Sequence, residues 1–331
     1  MSRKLTWTLL ALGVWAAIGA AALAQDEAVL LRYHFLPGQA LAYRVTFNAT
    51  ASMSMNMAQP GQTAPMVVPV QANGYIDLAQ KVAGVDPQGT ADVDLSLGGL
   101  MVSGNAAVGG PQATMQVVLA NGQLSLLVNG QAKALPKEMD LSTLPLVGKP
   151  LRVRMSNTGQ LVGLGSLPLE QLGQMLPGMD LGSLLGQGQG GLPQPPVRAG
   201  ESWSQQLEVP VPGSNQKLRS VILNKFAGWE QLNGRRVARL EVTGNTDGSG
   251  IQIKGPTMPG GTPAPTMTIE RLSQRLGGVI WFDPELGQPV KATYDLAMTQ
   301  KMSGMGPGGQ GGSMGMDLRM KAEMALRPGA S

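Results

Sequence analysis

The chain has 331 residues, no cysteine and one histidine, and its 25 lysines and arginines outnumber its 21 acidic residues by four. These numbers exclude disulfide bonds and cysteine metal sites, and a charge so close to neutral offers no basic surface for binding nucleic acid. Because only 14% of the residues are charged, stability must come from apolar burial, and the length allows one large domain or two small ones.

Residues 1–24 have the pattern of a secretory signal peptide. Two basic residues precede an uncharged apolar run over 5–22, and the small-residue motif ALA at 22–24 stands directly before Gln25. An uncleaved membrane anchor is the disfavoured alternative, because polar residues follow the motif at once. No cysteine follows the run. We therefore expect an exported protein, periplasmic or extracellular, that is neither lipid-anchored nor membrane-spanning after cleavage.

The first long hairpin is predicted from residues 43–57, YRVTFNATASMSMNM, which alternate between apolar and polar side chains without a slip. Side chains of a β-strand point alternately to its two faces, so the pattern predicts one long strand with one apolar face. The prolines and glycine of 58–65 predict a turn, and 66–78 then resume the alternation.

Shorter strands are predicted through the rest of the first half. Residues 91–97 alternate in the same way, and 114–119 and 124–128 flank Asn121-Gly122, a strong hairpin signal. The segment 151–155 is a further strand.

Helix is scarce in this sequence. Residues 166–185 carry leucines at helical spacing, but Pro168 and Pro177 limit them to short helical turns. The glycine-, glutamine- and proline-rich segment 186–196 reads as a linker.

A second long hairpin is predicted near the end of the chain. A short strand over 279–282 leads into turn residues, and 290–302 and 314–326 then alternate on either side of a glycine-rich loop, 304–312. Most of the methionines of this segment lie on the apolar face of the predicted hairpin.

Similar residues recur in the same order on both sides of the linker. The clearest match is KVAGVD at 81–86 with KFAGWE at 225–230. We therefore predict a mostly β protein built from two similar antiparallel β repeats, 25–165 and 197–331. Short helical turns and the linker, 166–196, separate the repeats, and one composite domain is expected.

The segments LRYHFLPGQALAYRVTF (31–47) and GGVIWFDPELGQPVKATYDLAMTQKM (277–302), with long amphipathic strands between them, resemble a bacterial family of exported β-proteins of unknown function. That family is similar in architecture to the LolA/LppX-like lipoprotein carriers. The resemblance implies an open, strongly curved antiparallel sheet, a half-barrel closed by short helices that holds acyl chains in its concavity. The resemblance covers nearly all of the chain after the signal peptide, and it assigns no site residue in this sequence.

The common catalytic patterns find little support in the sequence. His34, the single histidine, lies near the start of the first strand, and no G-x-S-x-G motif accompanies it. The carboxylate pairs Asp92/Asp94 and Asp283/Glu285 fall on a polar strand face and in a turn. We therefore expect no enzymatic activity and no cofactor.

The apolar face of the two long hairpins is the candidate ligand site. Methionine is unbranched and polarizable, which suits it to contact with varied apolar molecules. We predict a non-enzymatic binding protein for a lipid or another apolar ligand, held on a methionine-rich concave face. The predicted lining residues are Tyr43, Val45, Phe47, Met53, Met55, Met57, Tyr294, Leu296, Met298, Met302, Met314, Met316 and Met320.

Two alternatives stay open from the sequence. Thioethers are soft ligands that select Cu(I). The methionines Met53, Met55 and Met57 on one predicted strand face, and Met314, Met316 and Met320 on another, would therefore also suit a periplasmic copper-binding protein. Copper sites usually include a histidine or a cysteine, and His34 is distant in sequence, so no metal-binding residue is assigned. The other alternative is a structural or interaction module of the cell envelope with a closed core and no ligand.

Overall fold

The computed structural model describes residues 28–57, 66–106, 113–120, 123–134, 149–164, 191–211, 214, 216–254, 266–305 and 311–327. Within these residues the chain forms β-strands and no helix. The strands are β1 (Ala40–Met57), β2 (Met66–Val85), β3 (Ala91–Ala106), β4 (Ala113–Ala120), β5 (Gln123–Val128), β6 (Gln131–Lys133), β7 (Leu151–Met155), β8 (Leu161–Leu164), β9 (Ser202–Pro210), β10 (Lys217–Leu232), β11 (Arg235–Gly248), β12 (Ile251–Lys254), β13 (Thr266–Asp283), β14 (Gln288–Met305) and β15 (Gly311–Leu326). In this part of the chain no helix is long and apolar enough to cross a membrane.

All of these strands belong to one 15-stranded antiparallel sheet. Its order is β6-β5-β4-β3-β2-β1-β15-β14-β13-β11-β10-β9, while β7 and β8 extend from β3 and β12 pairs with β13. The predicted mostly β, antiparallel architecture is confirmed. Among the described strands, the outermost two, β6 and β9, do not pair with each other.

Both long hairpins are present. β1 pairs with β2 from Ala40 to Met55 without an interruption in register. β14 and β15 are longer than predicted, because Met305 pairs with Gly311 inside the segment that was expected to be loop. Glycine is tolerated there since the ladder still pairs its backbone groups.

The sheet curves so that one of its faces is concave. Counted along the strand order, β3 and β10 are seven strand spacings apart, which on a flat sheet would be roughly 34 Å. One short segment nevertheless joins the turn after β7, which pairs with β3, to β9, the neighbour of β10: the N–H of Leu192 donates to the carbonyl of Thr158 at 2.7 Å, and the Gln205 side chain donates to the carbonyl of Gly191 at 2.8 Å. The two sides of the sheet therefore approach each other across a shared inner surface, which we call the concave face.

The two ends of this curved sheet differ. We call the end at which β1 begins and β2 ends the base, and the end at which β1 ends and β2 begins the tip. At the base, the segment before β1 buries Leu31, Tyr33 and Phe35 in the core. The backbone N–H of Tyr33 donates to the carbonyl of Asn157 at 2.8 Å, which fixes this segment against the turn after β7.

The two halves of the chain share a local arrangement at the base. The matched segments KVAGVD and KFAGWE each contain a register shift against the next strand. The N–H of Gly38 donates to the carbonyl of Val82 at 2.9 Å, and the N–H of Gly200 donates to the carbonyl of Phe226 at 2.7 Å. Both glycines have positive φ, a conformation that favours glycine. These correspondences are compatible with a duplicated unit, and the repeat boundaries stay predictions.

Several predicted features lie outside the described residues. They are the signal peptide, the turn at 58–65, the Asn121-Gly122 turn and the short helical turns of 166–185.

Candidate functional site

The strand order joins the two predicted hairpins into one surface. β1 pairs with β15, and β15 pairs with β14. Met53 lies opposite Met316, and Met320 lies opposite Leu296. Residues directly opposite in antiparallel strands point to the same face. By this register, the predicted lining residues whose side chains are described lie on the concave side of three neighbouring strands.

Along β1 and β14, exposure increases from base to tip, although Val68 of β2 and Ile269 of β13 are buried near the tip. Tyr43 is 5% exposed, Phe47 is 7% exposed and Ala292 is fully buried, all of them in the base half. Met57, at the tip end of β1, lies opposite Gly312. The remaining lining side chains, most of them further toward the tip, are half-buried: Val45, Met53, Met55, Tyr294, Leu296, Met298, Met302, Met314, Met316 and Met320.

Four methionines lie in register across four neighbouring strands at the tip. Met66 of β2 pairs with Met55 of β1, Met55 pairs with Met314 of β15, and Met314 pairs with Met302 of β14. All four side chains are half-buried. We call this set the methionine row.

Met66 is a member of the row that the predicted lining set does not include. The alternation of 66–78 indicates that Met66 lies on the apolar face of its strand. Its place beside Met55 depends on the register of the hairpin, which the turn at 58–65 does not reveal in sequence.

The concave side of the three central strands is uncharged. Within the described residues of β1, β14 and β15, every charged side chain alternates to the opposite, convex face. There Arg44 pairs with Asp77 at 2.7 Å and Lys291 pairs with Glu323 at 3.0 Å. The hydrogen bond from Arg44 lowers the pKa of the Asp77 carboxyl. The convex face is therefore the polar surface of these strands.

Buried polar groups cluster where the base meets the open part of the face. Burial raises the pKa of Tyr33 well above its usual value, and the nearby phenols of Tyr43 and Tyr294 raise it further. Burial also raises the pKa values of Tyr43 and Tyr294. The Tyr43 hydroxyl and the Asn224 side-chain amide nitrogen have no hydrogen-bond partner in the described structure. Such groups are uncommon in protein interiors, since each carries a desolvation cost of about 1–3 kcal/mol.

The carboxylates considered for acid–base chemistry have structural partners. Asp283 is buried, accepts a hydrogen bond from Arg235 at 2.8 Å and accepts two more from backbone amides of its turn. Asp94 pairs with Arg152 at 2.8 Å. His34 is exposed at the base. In the described part of the chain, no group of three or more His, Cys, Asp or Glu residues is arranged to hold a metal ion.

A second concavity of about 420 Å³ lies at the β9 edge of the base, between that strand and the segment 192–197. Its wall includes three prolines and the side chains of Trp203 and Gln205, which both donate hydrogen bonds to the carbonyl of Gly191 at 2.8 Å. None of the predicted lining residues contributes to it. We regard it as a consequence of how the linker docks on β9, because its polar groups already bond to that segment.

No family model and no curated protein matches the chain. Among solved structures it is similar to OccK5 (OpdH) of Pseudomonas aeruginosa, with 8% identity over 87% of this chain and 98% of that chain and a TM-score of 0.18. For OccK7 (OpdD) of Pseudomonas aeruginosa the identity is 9% over 87% and 100% of the two chains, with a TM-score of 0.19. Likeness at this level supports no functional inference, and the resemblance to LolA/LppX-like carriers stays a prediction.

Proposed function

We propose that this protein is an exported, non-enzymatic binding protein that holds a lipid or a similarly apolar molecule on the tip half of its concave face. The observation that carries the proposal is the change in side-chain exposure along one continuous apolar surface. Phe226 and Ala292 are fully buried at the base, whereas the described methionine side chains of β1, β14 and β15 toward the tip are half-exposed, and the described residues of these three strands place no charge on that face.

Exposed apolar surface of this kind is costly in water, and a ligand that covers it is stabilised by about 0.8 kcal/mol for each methylene group it buries. Large exposed apolar patches on soluble proteins commonly mark interaction sites. A structural module without a ligand would be expected to bury the tip as completely as the base. The half-exposed tip favours a bound apolar molecule over that alternative.

The residue type at the tip also supports an acyl-like ligand. A methionine side chain has three rotatable bonds and a polarizable sulfur, so a surface of methionines adapts to chains of different length and unsaturation. The absence of charge from the concave side of β1, β14 and β15, in their described residues, removes a partner for an ionic ligand. An apolar body is therefore the part of the ligand that this surface would recognise.

The test compares two adjacent residues of β1 that point to opposite faces. Met55 lies on the concave face, whereas Asn56 is exposed on the convex face. The protein without residues 1–24 is titrated with a pyrene-labelled phosphatidylcholine, which has no net charge. Met55→Lys is expected to weaken binding at least about tenfold, because a lysine on this face must be desolvated when the probe binds. Asn56→Lys is expected to bind like the wild type.

The proposal is wrong if wild-type protein does not bind the probe, or if Met55→Lys binds it as tightly as Asn56→Lys does. Circular dichroism of both variants establishes that they fold before the titration is read. Export is tested separately by the mass of the product in a bacterial periplasm, which is expected to match residues 25–331.

A further inference from the structure

The methionine row has a geometry that hydrophobic packing alone does not require. Met66, Met55, Met314 and Met302 follow one another across four adjacent strands, and Met53 and Met316 lie opposite each other in the next row toward the base. Cβ atoms of directly opposite residues are about 4.5–5.5 Å apart, and a methionine sulfur lies two bonds beyond Cβ. Sulfur atoms from three neighbouring strands can therefore converge on one point above the sheet.

Methionines are concentrated toward the tip of this face, although Met324 also packs against the base core. Among the described buried residues of the base core, Met155 is the only methionine, and valine, leucine, isoleucine and phenylalanine fill most of the rest. Strand positions favour β-branched and aromatic residues. An apolar face could have continued to the tip with those residues. The repeated thioether at one level of four strands therefore points to a role for sulfur.

We propose that the methionine row binds one Cu(I) ion through three thioether sulfurs from neighbouring strands, those of Met55, Met314 and Met302. Thioethers are soft, neutral ligands that select Cu(I) over hard cations, which prefer carboxylate and carbonyl oxygens. Zn(II) and Cu(II) favour imidazole and thiolate, but the chain has no cysteine and its single histidine lies at the base. The described residues of β1, β14 and β15 place no carboxylate on the face of the row, so the thioethers are the metal ligands that these strands offer there.

This site is separable from apolar-ligand binding because leucine has nearly the volume of methionine but no sulfur. Substituting leucine in the row preserves the apolar surface and removes the metal ligands. The two proposals therefore fail independently. If the wild-type protein binds Cu(I) but not the lipid probe, only the proposed function is contradicted. If it binds the lipid probe but not Cu(I), only the copper site is contradicted.

The experiment is an anaerobic competition between the protein without residues 1–24 and the chromophoric Cu(I) chelator bicinchoninate. The row variant is Met302→Leu with Met314→Leu. Its matched control is Met298→Leu with Met320→Leu, which changes the same two strands on the same face but outside the row. Wild type and control are expected to remove about one equivalent of Cu(I) from the chelator with equal affinity, within about twofold. The row variant is expected to bind at least about tenfold more weakly.

Three results would overturn the copper site: no competition by wild-type protein, a row variant that binds as the wild type does, or an equal loss in the control. Thermal unfolding of both double variants verifies that they fold. The control removes two methionines from the same two strands and the same face, so a loss of Cu(I) binding confined to the row variant separates the row sulfurs from a general change of the apolar surface.

Discussion

The base and the tip of the concave face are formed by the same strands with the same alternation of side chains, yet their side chains are buried to different degrees. At the base, segments from before β1 and after the linker enter the curve, and Leu31, Val153 and Phe226 are fully buried. At the tip the strands continue, but Met53 and Met316 remain half-exposed. Along β1 and β14 one amphipathic pattern therefore produces buried side chains at the base and half-exposed ones toward the tip, where a smaller buried cluster lies beside them.

The difference shows that a side chain on the concave face is buried where other segments of the chain pack against it. The residue types at the two ends differ accordingly. At the base, rigid β-branched and aromatic side chains pack in one arrangement, as in the stacked rings of Tyr33 and Phe35, whose centroids are 5.7 Å apart. At the tip, Met298 and Met302 pack beside a smaller buried cluster of Val211, Ile251, Ile269 and Leu272, whereas the methionines of β1 and β15 with described side chains remain half-exposed. Stability should accordingly depend on the base, and ligand binding on the tip.

The largest expected effect is the difference in unfolding free energy between a substitution at the base and one at the tip. Phe226→Ala leaves a cavity in the base core and is expected to lower the free energy of unfolding by about 3–5 kcal/mol. Met53→Ala, on the same face at the tip, is expected to cost about 1 kcal/mol or less, because its side chain is already half-exposed. Urea unfolding at 25 °C of the ligand-free protein measures both. Equal losses would contradict the division into a packed base and an open tip.

A smaller effect of opposite sign is expected at the boundary between the two ends. The Tyr43 hydroxyl is buried without a hydrogen-bond partner in the described structure. Tyr43→Phe removes this group and keeps the ring, so we expect unchanged stability or a gain of up to about 1 kcal/mol in the absence of ligand. The same urea experiment tests this. A loss of more than about 1 kcal/mol would mean that the hydroxyl has a bonding role in the folded protein.

The smallest effect is expected on the convex face. Because Arg44 lowers the pKa of Asp77, the pair stabilises the fold above the carboxyl's ordinary pKa of about 3.9, and this contribution is lost as the pH falls through the lowered folded-state pKa. Both side chains are partly exposed, so Asp77→Asn should cost about 0.5 kcal/mol at pH 7. Unfolding at several pH values should show the difference vanishing in acid. A difference that grows in acid would contradict this assignment.

The sequence predicts the two long hairpins because each has one apolar and one charged face. The strand β10 gives no such signal, and no strand was predicted there. Val221 and Leu223 point outward with 40% and 47% exposure, while Ile222 and Asn224 point inward. Apolar side chains on both faces and an amide on the inner face hide the two-residue period. In β13 a register shift after Ile269 changes the phase midway, and only 279–282 was recognised as strand.

The lining residues could be predicted from alternation, but their assembly into one surface could not. Met55 and Met314 are brought together because β1, the first strand along the chain, pairs with β15, the last described one, and no local pattern encodes that register. The buried hydroxyl of Tyr43 and the inward amide of Asn224 likewise depend on which segments cross the base. These features follow from contacts between distant parts of the chain.

The proposal that an apolar ligand covers the tip of the concave face is tested most directly by the rate of methionine oxidation by hydrogen peroxide, measured by peptide mass spectrometry. The delipidated protein is measured alone and with saturating phosphatidylcholine. Met155, buried at the base, should react slowly in both states, whereas Met53, Met55, Met314 and Met316 should react quickly alone and slowly with lipid. Tip methionines as slow as Met155 in both states would mean a closed core. Tip methionines that stay fast with lipid would mean that the ligand does not cover this face.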